Sequence, residues 1–124
     1  MDKSYKIFLD GSEIGITKLE KADYPMGVLI GEIEFKGIDS AYRFFKDYSI
    51  ENNIILTLDD PEHKAIATMA IDSLKVIRQD GSEIKGLGNL IQGIEREYYE
   101  IHILGYPHMD EFPHLLEKYI KQFE

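Results

Sequence analysis

A chain of 124 residues is long enough for one domain with a real core, because folding at this size buries roughly two-thirds of the surface an unfolded chain exposes. Hydrophobic residues make up 44% and aromatics 11%, the composition of a globular domain and not of a disordered tail. Fourteen Lys and Arg against 23 Asp and Glu leave a net charge of -9, which argues against nucleic acid and anionic membrane as partners, and the absence of Cys removes disulfides, thiolate zinc sites and cysteine nucleophiles.

The start, Met1-Asp2-Lys3-Ser4-Tyr5-Lys6, has no apolar stretch behind a basic head, and no 18-residue apolar run occurs. The expectation is a single soluble, untargeted, cytoplasmic domain over residues 1–124. Residues 5–9 and 14–19 flank Asp10-Gly11, which supplies the positive φ of a tight hairpin. In the stretch that follows, Pro25 biases Tyr24 towards an extended conformation and Gly27 lets the backbone bend into a third strand over 28–35. There Leu29, Gly31, Ile33 and Phe35 form an apolar face, while Val28, Ile30, Glu32 and Glu34 form one that turns acidic and is expected to be solvated.

Asp39 or Ser40 is placed to cap a helix whose Ala41, Tyr42, Phe44, Phe45 and Tyr48 fill one stripe, with Asn52-Asn53 ending it. Residues 54–58 read as a short strand and 59–64 as a polar turn. The segment 60–77 offers Ile66, Met69, Ala70, Leu74 and Ile77 at helical spacing, but the alternation before Asp80-Gly81 signals a second hairpin, and a strand over 67–78 is the reading taken. Residues 86–93, with three glycines, read as a loop before a strand at 98–104. A last helix starts near Asp110, with Pro113 in its first turn and Phe112, Leu115, Leu116, Tyr119, Ile120 and Phe123 on a face expected to be buried. These elements predict an α+β fold: a mostly antiparallel sheet of about five to six strands with two helices packed on one face.

Asp-Gly-Ser-Glu-Ile occurs at 10–14 and again at 80–84. The same 70-residue shift sets strand 28–35 on strand 98–104 and one helix on the other. Beyond the pentapeptide only Ile7 with Ile77, Ile33 with Ile103 and Ile50 with Ile120 are identical, so the sequence does not support shared ancestry.

Two stretches, Ile14-Gly15-x-Thr17-x-Leu19-Glu20 into Asp23-x-Pro25-Met26-Gly27-Val28-x-x-Gly31, and Tyr99-Glu100-Ile101-His102-Ile103-Leu104-Gly105-Tyr106-Pro107 into Glu111-Phe112-Pro113-His114, resemble a family of small uncharacterised bacterial proteins. Ser40-Ala41-Tyr42 and the second Asp-Gly hairpin fall in matching order between them, whereas 51–75 matches little. The resemblance implies a bacterial cytoplasmic α+β domain and carries no activity, cofactor or catalytic residue.

For chemistry, His102, His108, Asp110, Glu111 and His114 lie close in sequence, and a metal set of His102, His108, Asp110 and His114 would suit zinc or iron. The competing reading makes Asp110 a helix cap and puts His114 on the helix's polar side, and it is preferred, with no metal and no cofactor expected. Residues 86–93 fail the phosphate-loop template, because Ile91 stands where the third Gly belongs. No serine sits in a nucleophile elbow, and no catalytic residue is assigned. What remains is surface character: Glu32, Glu34, Asp59, Asp60, Glu62, Tyr98, Glu100 and His102 combine acids with aromatic groups, the make-up of a protein interface facing a basic partner. An acidic protein-binding module of the immunity or inhibitor kind is the leading expectation. A metal- or ligand-dependent enzyme using the 102–114 region is the alternative.

Overall fold

Residues 3–123 are described by a computed structural model. Strands β1 (Tyr5–Leu9) and β2 (Ser12–Thr17) close around Asp10 and Gly11, both at positive φ, 51° and 81°, in the two-residue turn whose twist suits paired strands. Leu19 is buried, and beyond it a short strand that periodicity did not announce, β3 (Lys21–Asp23), pairs with β4 (Val28–Glu32). Between them the Gly27 N–H bonds back to the Tyr24 carbonyl at 3.1 Å and Gly27 sits at φ 67°, a conformation that costs any other residue strain. The expected strand over 28–35 breaks at Ile33, whose N–H bonds the Tyr99 carbonyl at 2.9 Å. After it β5 (Glu34–Phe35) leaves β4's sheet and pairs with β2.

Helix α1 (Ala41–Glu51) is capped by Ser40, whose side chain accepts the Arg43 N–H, and ends at Asn52, with Asn53 at φ 57°. Strand β6 (Leu56–Asp60) carries the pairing through Asp59 and Asp60, so the polar turn narrows to 61–64 before β7 (Ala65–Thr68). The strand expected over 67–78 is two strands. After β7 the chain turns through 69–73, with the Ile71 N–H on the Asn89 carbonyl and the Leu74 N–H on the Ile71 carbonyl, and resumes as β8 (Leu74–Ile77) in the other sheet. The break lets one apolar run serve two sheets. The second hairpin forms around 79–81, the Arg78 N–H meeting the Ser82 carbonyl at 2.7 Å and Ile77 facing Glu83.

The loop expected at 86–93 is instead mostly strand, β9 (Gly88–Ile94), paired along its whole length with β10 (Tyr98–Leu104). Its glycines mark close approach and not flexibility: a Cβ on Gly93 would lie 2.4 Å from the Tyr98 carbonyl oxygen and 2.5 Å from the Tyr99 Cα. A 3-10 turn (Met109–Glu111) then precedes α2 (Pro113–Lys121), so the helix starts three residues later than Asp110 suggested, with Pro113 in its first turn. Of its apolar face, Phe112 and Leu115 are buried and Tyr119 partly so. Ile120 and Phe123 remain 49% and 73% exposed, which corrects the expectation that the whole face is covered.

The fold is α+β, with all strand pairs antiparallel and divided between a four-stranded sheet, β5-β2-β1-β8, and a six-stranded one, β3-β4-β10-β9-β7-β6. One apolar cluster joins them. Ile7, Leu9, Leu74 and Val76 come from the small sheet, Leu29, Ile66, Ile91, Ile101 and Ile103 from the large one, and Phe45 and Leu115 from the helices, α1 lying near β7 and α2 near β3.

The 70-residue shift has a geometric meaning. Gly31 pairs directly with Ile101, its own counterpart, and Glu32 with Glu100 and Ile30 with His102 follow symmetrically on either side. In the other sheet Lys6 pairs with Ile77 and Ile7 with Val76, again centred between counterparts. The β3–β4 and β9–β10 hairpins flank the same axis, and Tyr42 and Phe45 of α1 are buried as Phe112 and Leu115 are beside α2. The chain is thus two hairpin-strand-helix units related by a pseudo-two-fold axis, with β6 and β7 inserted between them.

Candidate functional site on the open face of the six-stranded sheet

Alternation along each strand of the large sheet sends one set of side chains into the core and the other outwards. The outward set is ordered by register. One row runs Glu32, Glu100, Gln92, Ala67, Leu58 across β4, β10, β9, β7 and β6, and the next runs Lys21, Ile30, His102, Leu90. On the other side of the first row Tyr98 faces Ile94. Each of these residues is at least partly exposed, whereas Leu29, Ile91, Ile101 and Ile103 on the opposite face are buried.

Glu32 and Glu100 stand directly opposite each other, a like-charge pair that destabilises a sheet unless something lies between. Lys21 supplies it: its Nζ is 2.9 Å from Glu100 Oε2, 3.9 Å from Glu32 Oε1 and 4.7 Å above the Tyr98 ring. His102 Nε2 lies 3.2 Å from the other oxygen of Glu100. The Glu100 and His102 side chains are only 13% and 16% exposed, so their partners are held in place. Burial pushes the Glu100 carboxyl up, but the hydrogen bonds from Lys21 and His102 and their charges outweigh it and hold the group below the usual carboxylate range. Beside this cluster a shallow groove of about 280 Å³ is lined by Leu58, Ala67, Gln92, Ile94, Tyr98 and Glu97.

Four of the residues singled out from sequence, Glu32, Tyr98, Glu100 and His102, therefore share one surface. Glu34 does not: beyond the break at Ile33 it sits exposed on β5, opposite Ile16 in the small sheet. Asp59 is occupied within the fold, its Oδ1 accepting the Tyr42 hydroxyl at 2.5 Å and its Oδ2 lying 3.1 Å from Lys46, and these bonds, the Tyr42 one foremost, lower its pKa. Asp60 bonds His63 Nδ1 at 2.8 Å, and Glu62 lies exposed in the same turn. With His63 these two form the one group of three metal-capable side chains among the described residues, their donor atoms within 4.8 Å of one another.

The four-residue metal set read from sequence is not brought together among the described residues. His102 is on the open sheet face, the His108 ring packs edge-on against Tyr106 at 5.8 Å, Asp110 lies in the 3-10 turn, and the His114 ring is 6.2 Å from Phe112. Asp110 does not cap α2 either; Phe112 holds the N-cap position. Sequence reasoning missed Lys21, which sits on a three-residue strand too short to show periodicity, and Ile94, which lies between the loop read at 86–93 and the strand read at 98–104. Leu58 falls at the end of the short strand read over 54–58, for which the sequence assigns no outward face.

The arrangement defines the class: a two-sheet α+β domain with an open, partly acidic sheet face. No family model matches the chain, and neither a curated protein nor a solved structure does. Among the described residues no helix is long and apolar enough to cross a membrane.

Proposed function

We propose that this chain is a non-enzymatic protein-binding domain of the bacterial cytoplasm, of the immunity or inhibitor kind, whose open sheet face covers a basic surface on its partner. The observation that carries this reading is the combination on one surface of exposed Leu58 and Tyr98 with the carboxylates of Glu32, Glu97 and Glu100, with Lys21 among them. Apolar and aromatic groups supply the contact area of an interface, and surrounding charge selects and steers the partner. The groove is too shallow for a substrate to be enclosed, and both Glu100 oxygens are taken, one by Lys21 and one by His102 Nε2.

The test is affinity capture from the source cell with the wild-type protein and with Leu58→Lys and Tyr98→Ala in parallel. Both side chains are exposed, so the variants keep the wild-type circular dichroism spectrum and melting point. The expected result is a basic protein retained by the wild type, weakened by raised salt and lost by both variants. Equal retention by all three, or no partner at all, would overturn the proposal.

A further inference from the structure

A second cleft, of about 550 Å³, opens between the start of β1, the end of β2 and the first turns of α2. In a chain of net charge -9 its walls gather Lys3, Lys18, Lys118 and His114 around Tyr5 and Phe112. Glu20 and Glu111 line it too, with their carboxylates bonded within the fold. Both oxygens of Glu20 accept the Glu32 N–H, at 2.8 and 3.2 Å, and Glu111 is held by Arg78 at 3.0 Å and by the Tyr106 hydroxyl at 2.5 Å. Lys118 Nζ reaches only a neutral acceptor, the Glu20 carbonyl, at 2.8 Å, and Lys3 has no carboxylate partner among the described residues.

The pseudo-two-fold axis shows what closes such a place when no ligand is wanted. The counterparts of Lys118 and Lys3 are Tyr48 and Ser73, and these bond each other directly, hydroxyl to hydroxyl at 2.6 Å. The counterpart of His114 is Phe44, packed at 5.0 Å against Phe45. One unit thus joins helix to strand with a neutral hydrogen bond and an aromatic pair, whereas the other presents two like charges and an imidazole at the same positions. Two ammonium groups bordering one cleft favour an anion between them. In the first turn of α2, Pro113 has no N–H and the Leu115 N–H bonds the Phe112 carbonyl at 3.0 Å, so the His114 N–H is the one that Phe112, with no side-chain acceptor at the N-cap, leaves uncapped.

We infer that this cleft binds a small phosphate-bearing anion, bridged by Lys3 and Lys118 and seated against the first turn of α2. The inference goes beyond the protein-binding proposal and does not depend on it. The size lies within the range of small-ligand pockets, and lysines act on phosphate as point charges that need no fixed fork.

The probe is pyrophosphate, followed by thermal unfolding and by amide chemical shifts, with sodium chloride at matched ionic strength as control. Saturable binding is expected at millimolar pyrophosphate or below, with a rise in melting temperature of about 2 °C or more. The shifts are expected to be confined to residues 3–5, 18–20 and 111–118. Lys118→Ala, an exposed change, is expected to weaken binding about tenfold, equivalent to losing one charge-assisted contact. The double variant Lys3→Ser, Lys118→Tyr copies the closed counterpart and is expected to abolish binding while keeping or raising the melting point without ligand. Shifts reproduced by sodium chloride, or binding unchanged in both variants, would overturn the inference.

Discussion

The Ser40 hydroxyl donates to Glu95 Oε1 at 2.5 Å, joining the start of α1 to the turn between β9 and β10 across 55 residues of chain. The same carboxylate oxygen accepts the Tyr42 N–H at 3.3 Å, and the Ser40 oxygen accepts the Arg43 N–H at 3.2 Å. Two of the first-turn N–H groups of α1 are therefore satisfied, one by a local cap and one by a remote carboxylate that also favours the helix dipole. The Ser40 bond, ahead of the Tyr42 N–H and Lys64, lowers the Glu95 pKa against the opposing effect of burial.

Glu95→Gln is expected to cost about 1–2 kcal/mol at pH 7, the worth of charge-assisted bonds at a half-buried site. Because the folded-state pKa is depressed, this stability is present above the ordinary value of 4.5 and is lost as pH falls through the folded value. Denaturant unfolding of both proteins from pH 7 to pH 3 should show the gap closing in acid. A gap independent of pH would show that the charge of Glu95 is not what matters.

Gly93→Ala should destabilise by about 3 kcal/mol, the upper end of overpacking costs, because the two nearest atoms a Cβ would meet belong to the β10 backbone and cannot rotate away. Urea unfolding measures it. A change below about 0.5 kcal/mol, the scale of an ordinary surface substitution, would mean that β9 and β10 are not packed as described.

Lys21→Met leaves Glu32 and Glu100 opposed with only His102 beside them. The expected loss is about 1 kcal/mol at neutral pH, as for a partly exposed pair. The Glu100 carboxyl, which Lys21 helps to hold down, should titrate at higher pH when followed by carbon NMR of its side chain. An unchanged Glu100 titration would remove Lys21 from the cluster.

On α2, Leu115→Ala should cost about 2–4 kcal/mol, because Leu115 is 2% exposed within the core. Ile120→Lys, five residues further along the same helix, should change stability by no more than about 0.5 kcal/mol, since half of that side chain already faces water. Thermal melts of the two variants compare them directly; an equal loss would restore the fully buried face that periodicity predicts.

Much of the local structure was legible without coordinates. Asp10-Gly11 made its hairpin, Ser40 capped α1, Asn52-Asn53 ended it, Gly27 took its positive φ, and Leu29, Gly31 and Ile33 turned inwards, because turn chemistry, capping and period-two burial are properties of a few adjacent residues. Glu32, Tyr98, Glu100 and His102 could likewise be read as outward-facing by counting along their strands.

The sequence alone therefore determined the α+β class, the two Asp-Gly turns, the inward faces of the strands it marked and the acidity. Only the tertiary structure decided that residues 28–35 serve two sheets, that the glycine-rich 86–93 runs mostly as strand, that Lys21 neutralises the outward carboxylates, and that His102, His108 and His114 part company. Each of these depends on which distant backbone a residue meets. Gly93 is a strand residue because Tyr99 lies against it, and Lys3 and Lys118 face one cleft because a pseudo-two-fold pairing of strands puts them where Ser73 and Tyr48 stand in the other half.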